Sequence, residues 1–341
     1  MRIGYLVALI SMLSILAGCP TDEPDIEETG DDDTGGDDDT AGDDDTTGDD
    51  DTTSADDDAT GDDDSAGDDD DTAIDCDTAV PCAGDHIVGN QYDLAAVTQC
   101  TSIDGDLSID AAAVWLTSID LPCLESVDGS LDIRWNDFLT TLDLPGLTTV
   151  GSDVRIESNA SLTSLAGLSS LTSVWSLTIG DNASLTDLDG LASLTTVTWG
   201  LSISYNASLT SLDGLDSLTT VGGTLTIGGN PALASLDGLD ITSVSEDVNI
   251  CWNDALPKLD IPDLTTVGST LHIWDNDSLA GLSGLSGLTS VGDNLIIASH
   301  VCLSQAEAEA FAAGVSVAGG VDVYNNGADY PCDGSPPGPP G

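Results

Sequence analysis

The chain has 341 residues, with 62 Asp and Glu against only four Lys and Arg, and a formal net charge of −58. Nucleic-acid affinity comes largely from basic side chains neutralising phosphates, so this balance excludes DNA and RNA as partners and disfavours anionic lipid surfaces. Hydrophobic residues make up 40% of the chain but aromatic ones only 4%, so core material is present and is mainly aliphatic.

Arg2 precedes an apolar run over residues 3–16, followed by Leu16-Ala17-Gly18-Cys19. The run is too short for a stable membrane span and reads as a signal sequence over residues 1–18, removed on export. Leu-Ala-Gly-Cys resembles the bacterial lipobox, which implies that Cys19 is acylated and becomes the first residue of the mature chain. Buried acyl chains contribute about 0.8 kcal/mol per methylene, enough for permanent anchoring when several are attached. No later stretch is apolar enough to span a bilayer, so lipid is the expected membrane contact. Pro20 stands where the resemblance would place Asp for inner-membrane retention. The expected location is therefore the outer membrane, with display at the cell surface open.

Residues 19–75 form the next segment, built from Asp-Asp-Asp-Thr and Asp-Asp-Asp-Ser with Gly and Ala. They lack hydrophobes that could offset the entropy of ordering, so a disordered spacer is expected. Like charges extend it, and at full stretch it reaches roughly 180 Å. The Asp triplets lack the central Gly and terminal Glu of a calcium loop, which leaves only diffuse cation condensation. Residues 76–103 read as an N-terminal cap. Within it Asp93 is expected to cap a short helix through Leu94 and Val97 to Cys100, and Cys82 and Cys100 to staple it.

Residues 104–300 repeat. The Leu-x-Ile core recurs as Leu107/Ile109, Leu131/Ile133, Val154/Ile156, Leu177/Ile179, Leu201/Ile203, Leu225/Ile227, Val248/Ile250, Leu271/Ile273 and Leu295/Ile297. A spacing of 23 or 24 residues marks a solenoid, whose units bury their apolar faces only by stacking. Within one unit, Leu201-x-Ile203, Leu209-x-x-Leu212 and Leu218-x-x-Val221 are each followed by turn residues: Tyr205-Asn206, Asp213-Gly214 and Gly222-Gly223. Three strands and three corners per coil describe a triangular, all-β parallel β-helix of about nine coils, roughly 40 Å long, with short helical caps. Asn136, Asn159, Asn182, Asn206, Asn230, Asn253 and Asn276 share one place in this frame, just after Leu-x-Ile. They are expected to form a buried ladder, donating to a neighbouring coil and accepting from their own turn.

The stretch Leu-x-x-Leu-x-x-Val-Gly-Gly-x-Leu-x-Ile-x-x-Asn-x-x-Leu, intact from Leu215 to Leu233, resembles the receptor L-domain class of leucine-rich repeat. That resemblance implies a right-handed β-helix with a binding or adhesive role, and carries no catalytic motif. Ordinary leucine-rich repeats place a helix on the convex side. Leu-Asp-Gly-Leu and Leu-Thr-Thr-Val are too rich in Gly and Thr for one.

Residues 301–332 read as a C-terminal cap. Ser304-Gln305-Ala306-Glu307 is a capping box opening a helix to about Ala313, with Phe311 over the exposed core and Cys302 paired to Cys332. Cys251 is expected to stay free, its coil being far from the other cysteines. The Pro/Gly tail over residues 333–341 is expected to be unstructured.

Enzyme chemistry has little to rest on. His86, His272 and His300 fall in no metal-ligand spacing or nucleophile motif, and no metal or cofactor is implied. The Asp-Gly pairs repeat as corners, so a polysaccharide-active β-helix enzyme is the weakest reading. On the outward face, stacking brings Asp132 beside Arg155 and Arg134 beside Glu157 as ion pairs. Beyond them lies a flat, small, uncharged strip, ending in His272 and Trp274. These two are the candidate contacts for a sugar or protein, and a Trp shielding the sheet edge is the alternative. The sequence thus points to an envelope lipoprotein that binds or adheres to an envelope protein or glycan, with a purely structural envelope component as the rival.

Overall fold

The computed structural model describes residue 74, residues 76–110 and residues 116–327. The signal sequence, Cys19, the Asp-rich tether, Cys332 and the Pro/Gly tail lie outside them. The described chain is a parallel β-solenoid of about ten coils of some 23 residues.

Two 11-stranded parallel sheets run along it. One is built from the Leu-x-Ile strands, from His86–Val88 and Leu107–Ile109 through Leu201–Ser204 to Leu295–Ala298 and Val321–Tyr324. Leu201 lies opposite Leu177 and Leu225, and Ile203 opposite Ile179 and Ile227. Equivalent residues of successive repeats are therefore neighbours in the ladder. A slip of one residue would turn every leucine and isoleucine outward, so the buried rows hold this register. The second sheet uses short strands such as Thr196–Val197 and Thr220–Val221, whose valines stack in the same way.

The third side is not the third sheet that the sequence suggests. Among the described residues only Ser118–Asp120 and Thr141–Asp143 pair there as strands. Elsewhere the buried Leu209, Leu212, Leu215 and Leu218 fall at every third residue. Leu215 N–H donates to Leu212 O at 3.1 Å and Leu218 N–H to Leu215 O at 2.8 Å. Three residues per turn is the 3₁₀ period, which keeps one face inward without an extended backbone. Asp189–Leu191 and Ser283–Leu285 are complete 3₁₀ turns of this kind.

Two helices interrupt the terminal coils. Helix α1, Gln91–Val97, is capped by Asn90 rather than Asp93: Asn90 Oδ1 accepts from the N–H groups of Tyr92 and Asp93. Asp93 sits three positions into the helix and reaches back, accepting from Gly89 N–H and the Asn90 amide, a reciprocal arrangement that satisfies the first-turn donors. Helix α2, Gln305–Gly314, starts at Ser304, whose Oγ accepts from Glu307 N–H at 3.2 Å. Phe311 packs on the core from it. Neither helix ends the rod, since strands of both sheets precede α1 and follow α2.

Disulfides join Cys82 to Cys100 and Cys76 to Cys123, both near the N-terminal coils. Cys251 is also disulfide-bonded, contrary to the free thiol expected. It lies on the Leu-x-Ile sheet opposite Gly228 and Trp274 and is 2% exposed. The partner expected for Cys302, Cys332, lies outside the described residues.

The core is aliphatic throughout, with Leu, Ile and Val rows and a few Ala and Cys; no Phe, Tyr or Trp of the described residues is in it. Layers about 4.8 Å apart leave each side chain room for one aliphatic group above an identical one. Burying each such Leu or Ile contributes about 1.5–3 kcal/mol.

Candidate functional site

Each Leu-x-Ile strand runs between two corners. At its end stand Asn136, Asn159, Asn182, Asn206, Asn230, Asn253 and Asn276, all at most 1% exposed. Asn206 shows how they are held: Nδ2 donates to Ile179 O of the preceding coil at 3.0 Å and to Ser204 O at 3.1 Å, and the backbone N–H donates to Asn230 Oδ1 at 3.0 Å. Its own Oδ1 accepts from Asn182 N–H at 3.1 Å. The acceptor thus serves the preceding coil and not its own turn, because the carbonyl oxygen points along the stack.

The column continues beyond the asparagines in a way the repeat alignment does not reveal. His300, fully buried, takes the next place. Its Nδ1 faces the Asn276 N–H at 3.1 Å and its Nε2 faces Ile273 O at 3.2 Å. With the proton on Nε2 the ring reproduces the acceptor and donor of an Asn amide. Burial pushes its pKa down to about 4. Asn326 closes the column, accepting from His300 N–H and donating to Ile297 O. The signal in the sequence was the spacing of 24 residues from Asn276 to His300.

The residue before each ladder position adopts positive φ: Trp135, Ser158, Asp181, Tyr205, Trp252, Asp275, Ser299 and Asn325, with Gly229 among them. Asn tolerates positive φ better than Tyr, yet within the Tyr205-Asn206 turn it is Tyr205 that adopts it. The ladder bonds over-determine the corner and hold bulky residues in a region that costs about 1–3 kcal/mol. Tyr205 lays its ring against Gly229, where a Cβ would lie 2.8 Å from Cδ1 of the ring. Trp252 Nε1 donates to Asp275 Oδ2 at 2.8 Å.

The outward face of the sheet begins with charge. Arg155 pairs with Asp132 at 3.1 Å and also with Asp153. Arg134 lies opposite Glu157 in register, yet its ion pair is with Asp132, at 3.4 Å, and its guanidinium lies 4.9 Å from the centre of the Trp135 ring. Glu157 leans the other way, over the space above Gly180, where a Cβ would meet Glu157 Oε1 at 3.6 Å. Burial raises the pKa of Glu157, opposed by Arg134 and Arg155. Next come the half-buried Thr178 and Ser202, then Thr226 and Asn249, which are 7% exposed and hydrogen-bonded to each other. His272 and Trp274 follow with ring centres 5.5 Å apart, and burial lowers the His272 pKa. The structure therefore brings the two predicted contacts together at the far end of the strip.

No family model matches this chain, and neither the curated proteins nor the solved structures compared with it contain a match.

The other corner of the sheet holds what sequence reasoning missed. Ser152, Trp175, Trp199, Gly223, Glu246, Ser269 and Asp293 occupy one column there, each N–H donating to the carbonyl of the residue before, with Trp199 N–H to Trp175 O at 2.7 Å. The two indoles are parallel within 6°, with centres 6.3 Å apart, and are 49% and 48% exposed. The signal was available in Val174-Trp175 and Val197-Thr198-Trp199, but a one-residue difference in corner length puts them out of simple alignment.

On the third side a shallow depression of about 520 Å³ is lined by residues including Asp120, Thr141, Asp143 and Gly167, with Asp120 opposite Asp143. Among the described residues no three His, Cys, Asp or Glu groups gather as metal ligands, and no helix is long and apolar enough to cross a membrane.

Proposed function

We propose that the chain is an outer-membrane lipoprotein, held through lipid on Cys19, whose solenoid is a binding or adhesion module for an envelope protein or glycan in the manner of receptor L-domain leucine-rich repeats. The observation that carries this reading is the placing of the aromatic residues. Trp is a residue that folding normally buries, yet Trp135, Trp175, Trp199, Trp252 and Trp274 all stand outside an aliphatic core. Large amphipathic rings on a rigid surface are the side chains that dominate recognition energetics. His272 and Trp274 sit on a sheet whose register fixes them, which favours a preorganised contact over a mobile one.

Two measurements test the two halves of the proposal. Cys19→Ser is expected to release the protein from membranes or block its processing, and unchanged membrane fractionation would refute the lipid anchor. Purified envelope polymers and proteins titrated onto the full chain are expected to bind saturably. Trp274→Ala is expected to weaken binding at the strip by about tenfold, the size of an ordinary aromatic contact. Absence of any saturable ligand would leave the chain a structural envelope component.

A further inference from the structure

We propose that the corner around Trp175 and Trp199 binds neutral polysaccharide, with pyranose rings stacking on the two indoles and the polymer running along the rod axis. This rests on reading the solenoid as a binding module and names a ligand class and a second contact on it. The two indoles stack on each other, but the backbone bonds of this corner do not depend on them. Ser152 and Gly223 occupy the same column and make the same backbone bonds without an aromatic ring, so the fold does not ask for Trp here. The rings are nevertheless set firmly, since both lie on the continuous backbone ladder, are parallel within 6° and are about half exposed. Beyond Trp199, Gly223 carries no side chain, and a Cβ there would come within 3.2 Å of the indole, so the aromatic surface extends over it unobstructed.

Several observations select the ligand. The face of an indole is apolar and carries negative π density, which suits the CH face of a sugar ring. Polar groups lie beside it: Thr224, whose hydroxyl donates to Glu246 Oε2 at 3.3 Å, and the half-buried Thr178 and Ser202 on the adjoining strands. These can exchange hydrogen bonds with sugar hydroxyls. Anionic polymers are disfavoured, because Arg134, Arg155 and Lys258 are each engaged with aspartates and the chain as a whole carries −58. A peptide adding itself as a strand is disfavoured too. The strands Ser176–Gly180 and Leu201–Ser204 that border the corner are already paired on both sides, and strand addition needs a free edge. Since the two indoles come from successive coils, a ligand touching both must cross coils, which suits a chain of repeating rings.

The test uses the full-length chain, titrated calorimetrically with cellohexaose, laminarihexaose, mannohexaose and fully acetylated chitohexaose, with polygalacturonate and tetramethylammonium as charged probes. At least one neutral hexasaccharide is expected to bind. Trp175→Ala and Trp199→Ala are each expected to weaken it about tenfold, as loss of an aromatic contact does, with thermal midpoints close to that of the parent chain. Trp274→Ala is expected to leave this affinity within about twofold, being a distant and independent site. Failure of every neutral sugar at millimolar concentration, binding of a charged probe instead, or binding indifferent to both corner substitutions would each overturn the proposal. Sugar binding lost only in Trp274→Ala would overturn this site while upholding the binding-module reading. That reading fails separately, if the envelope titrations find no ligand at all.

Discussion

The two corners that border the Leu-x-Ile sheet carry similar coil-to-coil hydrogen bonds and ask different things of their side chains. At one corner Asn repeats in seven coils, from Asn136 to Asn276, and is followed by His300 and Asn326. At the other the column reads Ser152, Trp175, Trp199, Gly223, Glu246, Ser269 and Asp293, with serine and tryptophan each appearing twice and no residue type running through it. The inward corner leaves backbone N–H and C=O groups that only a side-chain amide, or a ring that imitates one, can reach. The outward corner satisfies its amides from the neighbouring coil, so the side chain there is unconstrained. Repetition along a solenoid thus reports what the fold requires, and variation reports where a surface is free to acquire a function.

The inward side is disrupted most severely by removing core volume. Ile203 is fully buried between Ile179 and Ile227, and Ile203→Ala is expected to cost about 2–5 kcal/mol in denaturant unfolding. An effect below the cost of removing either exposed indole would reverse the assignment of inside and outside.

The next effect is pH dependence from His300. Its pKa falls from 6.5 in the unfolded chain to about 4 when folded, so between these values the unfolded chain binds more protons. Stability must therefore decline as pH falls from 6.5 towards 4, by a total of about 3 kcal/mol. The physical event is conversion of the Nδ1 acceptor into a donor facing the Asn276 N–H. Burial raises the pKa values of Asp110, Glu157 and Asp181, and their protonation favours the folded state, offsetting part of the decline. His300→Asn isolates the ring: it restores the ladder residue and is expected to remove the His contribution to the slope. An unchanged slope between parent and variant, measured by urea midpoints across this range, would show that the ring is not held as an amide substitute.

A single rung is expected to matter least of the three. Asn206→Ala orphans Asn182 N–H and takes one donor each from Ile179 O and from Ser204 O, which keeps its bond from Asp181 N–H, and such buried losses cost about 1–3 kcal/mol when partly relieved by relaxation. Trp199→Ala, one strand length away at the opposite corner, should stay within about 0.5 kcal/mol of the parent chain. Equal destabilisation by the two would remove the distinction between the corners.

Much of this architecture was legible in the order of residues. The spacing of Leu-x-Ile sets the coil length, and the register of Leu201 with Leu177 and Leu225 follows the alignment directly, because stacking like on like is the only way for each short unit to bury its apolar face. The asparagine column was legible for the same reason. The third side was not, since Leu-x-x-Leu has a period compatible with a strand, a 3₁₀ turn or a loop until its hydrogen bonds are known. The Glu157 and Arg134 partners were not legible either: register made them neighbours, but the gap above Gly180 drew the carboxylate away. Of the candidate contacts, His272 and Trp274 were visible as outward positions, whereas the Trp175 and Trp199 pair depends on a corner whose length varies by one residue between coils.

What the amino-acid sequence determined by itself is therefore whatever depends on local period: a parallel solenoid, an aliphatic interior and a column of amides at one corner. Tertiary structure alone decided what depends on the neighbouring coil's vacancies and angles. It chose Tyr205 over Asn206 for the positive φ, turned His300 into a ladder residue, and set two indoles parallel at an outer corner. The reason is that periodicity specifies which residues meet across coils, while packing space and unsatisfied hydrogen-bond partners decide which way each side chain turns once they do.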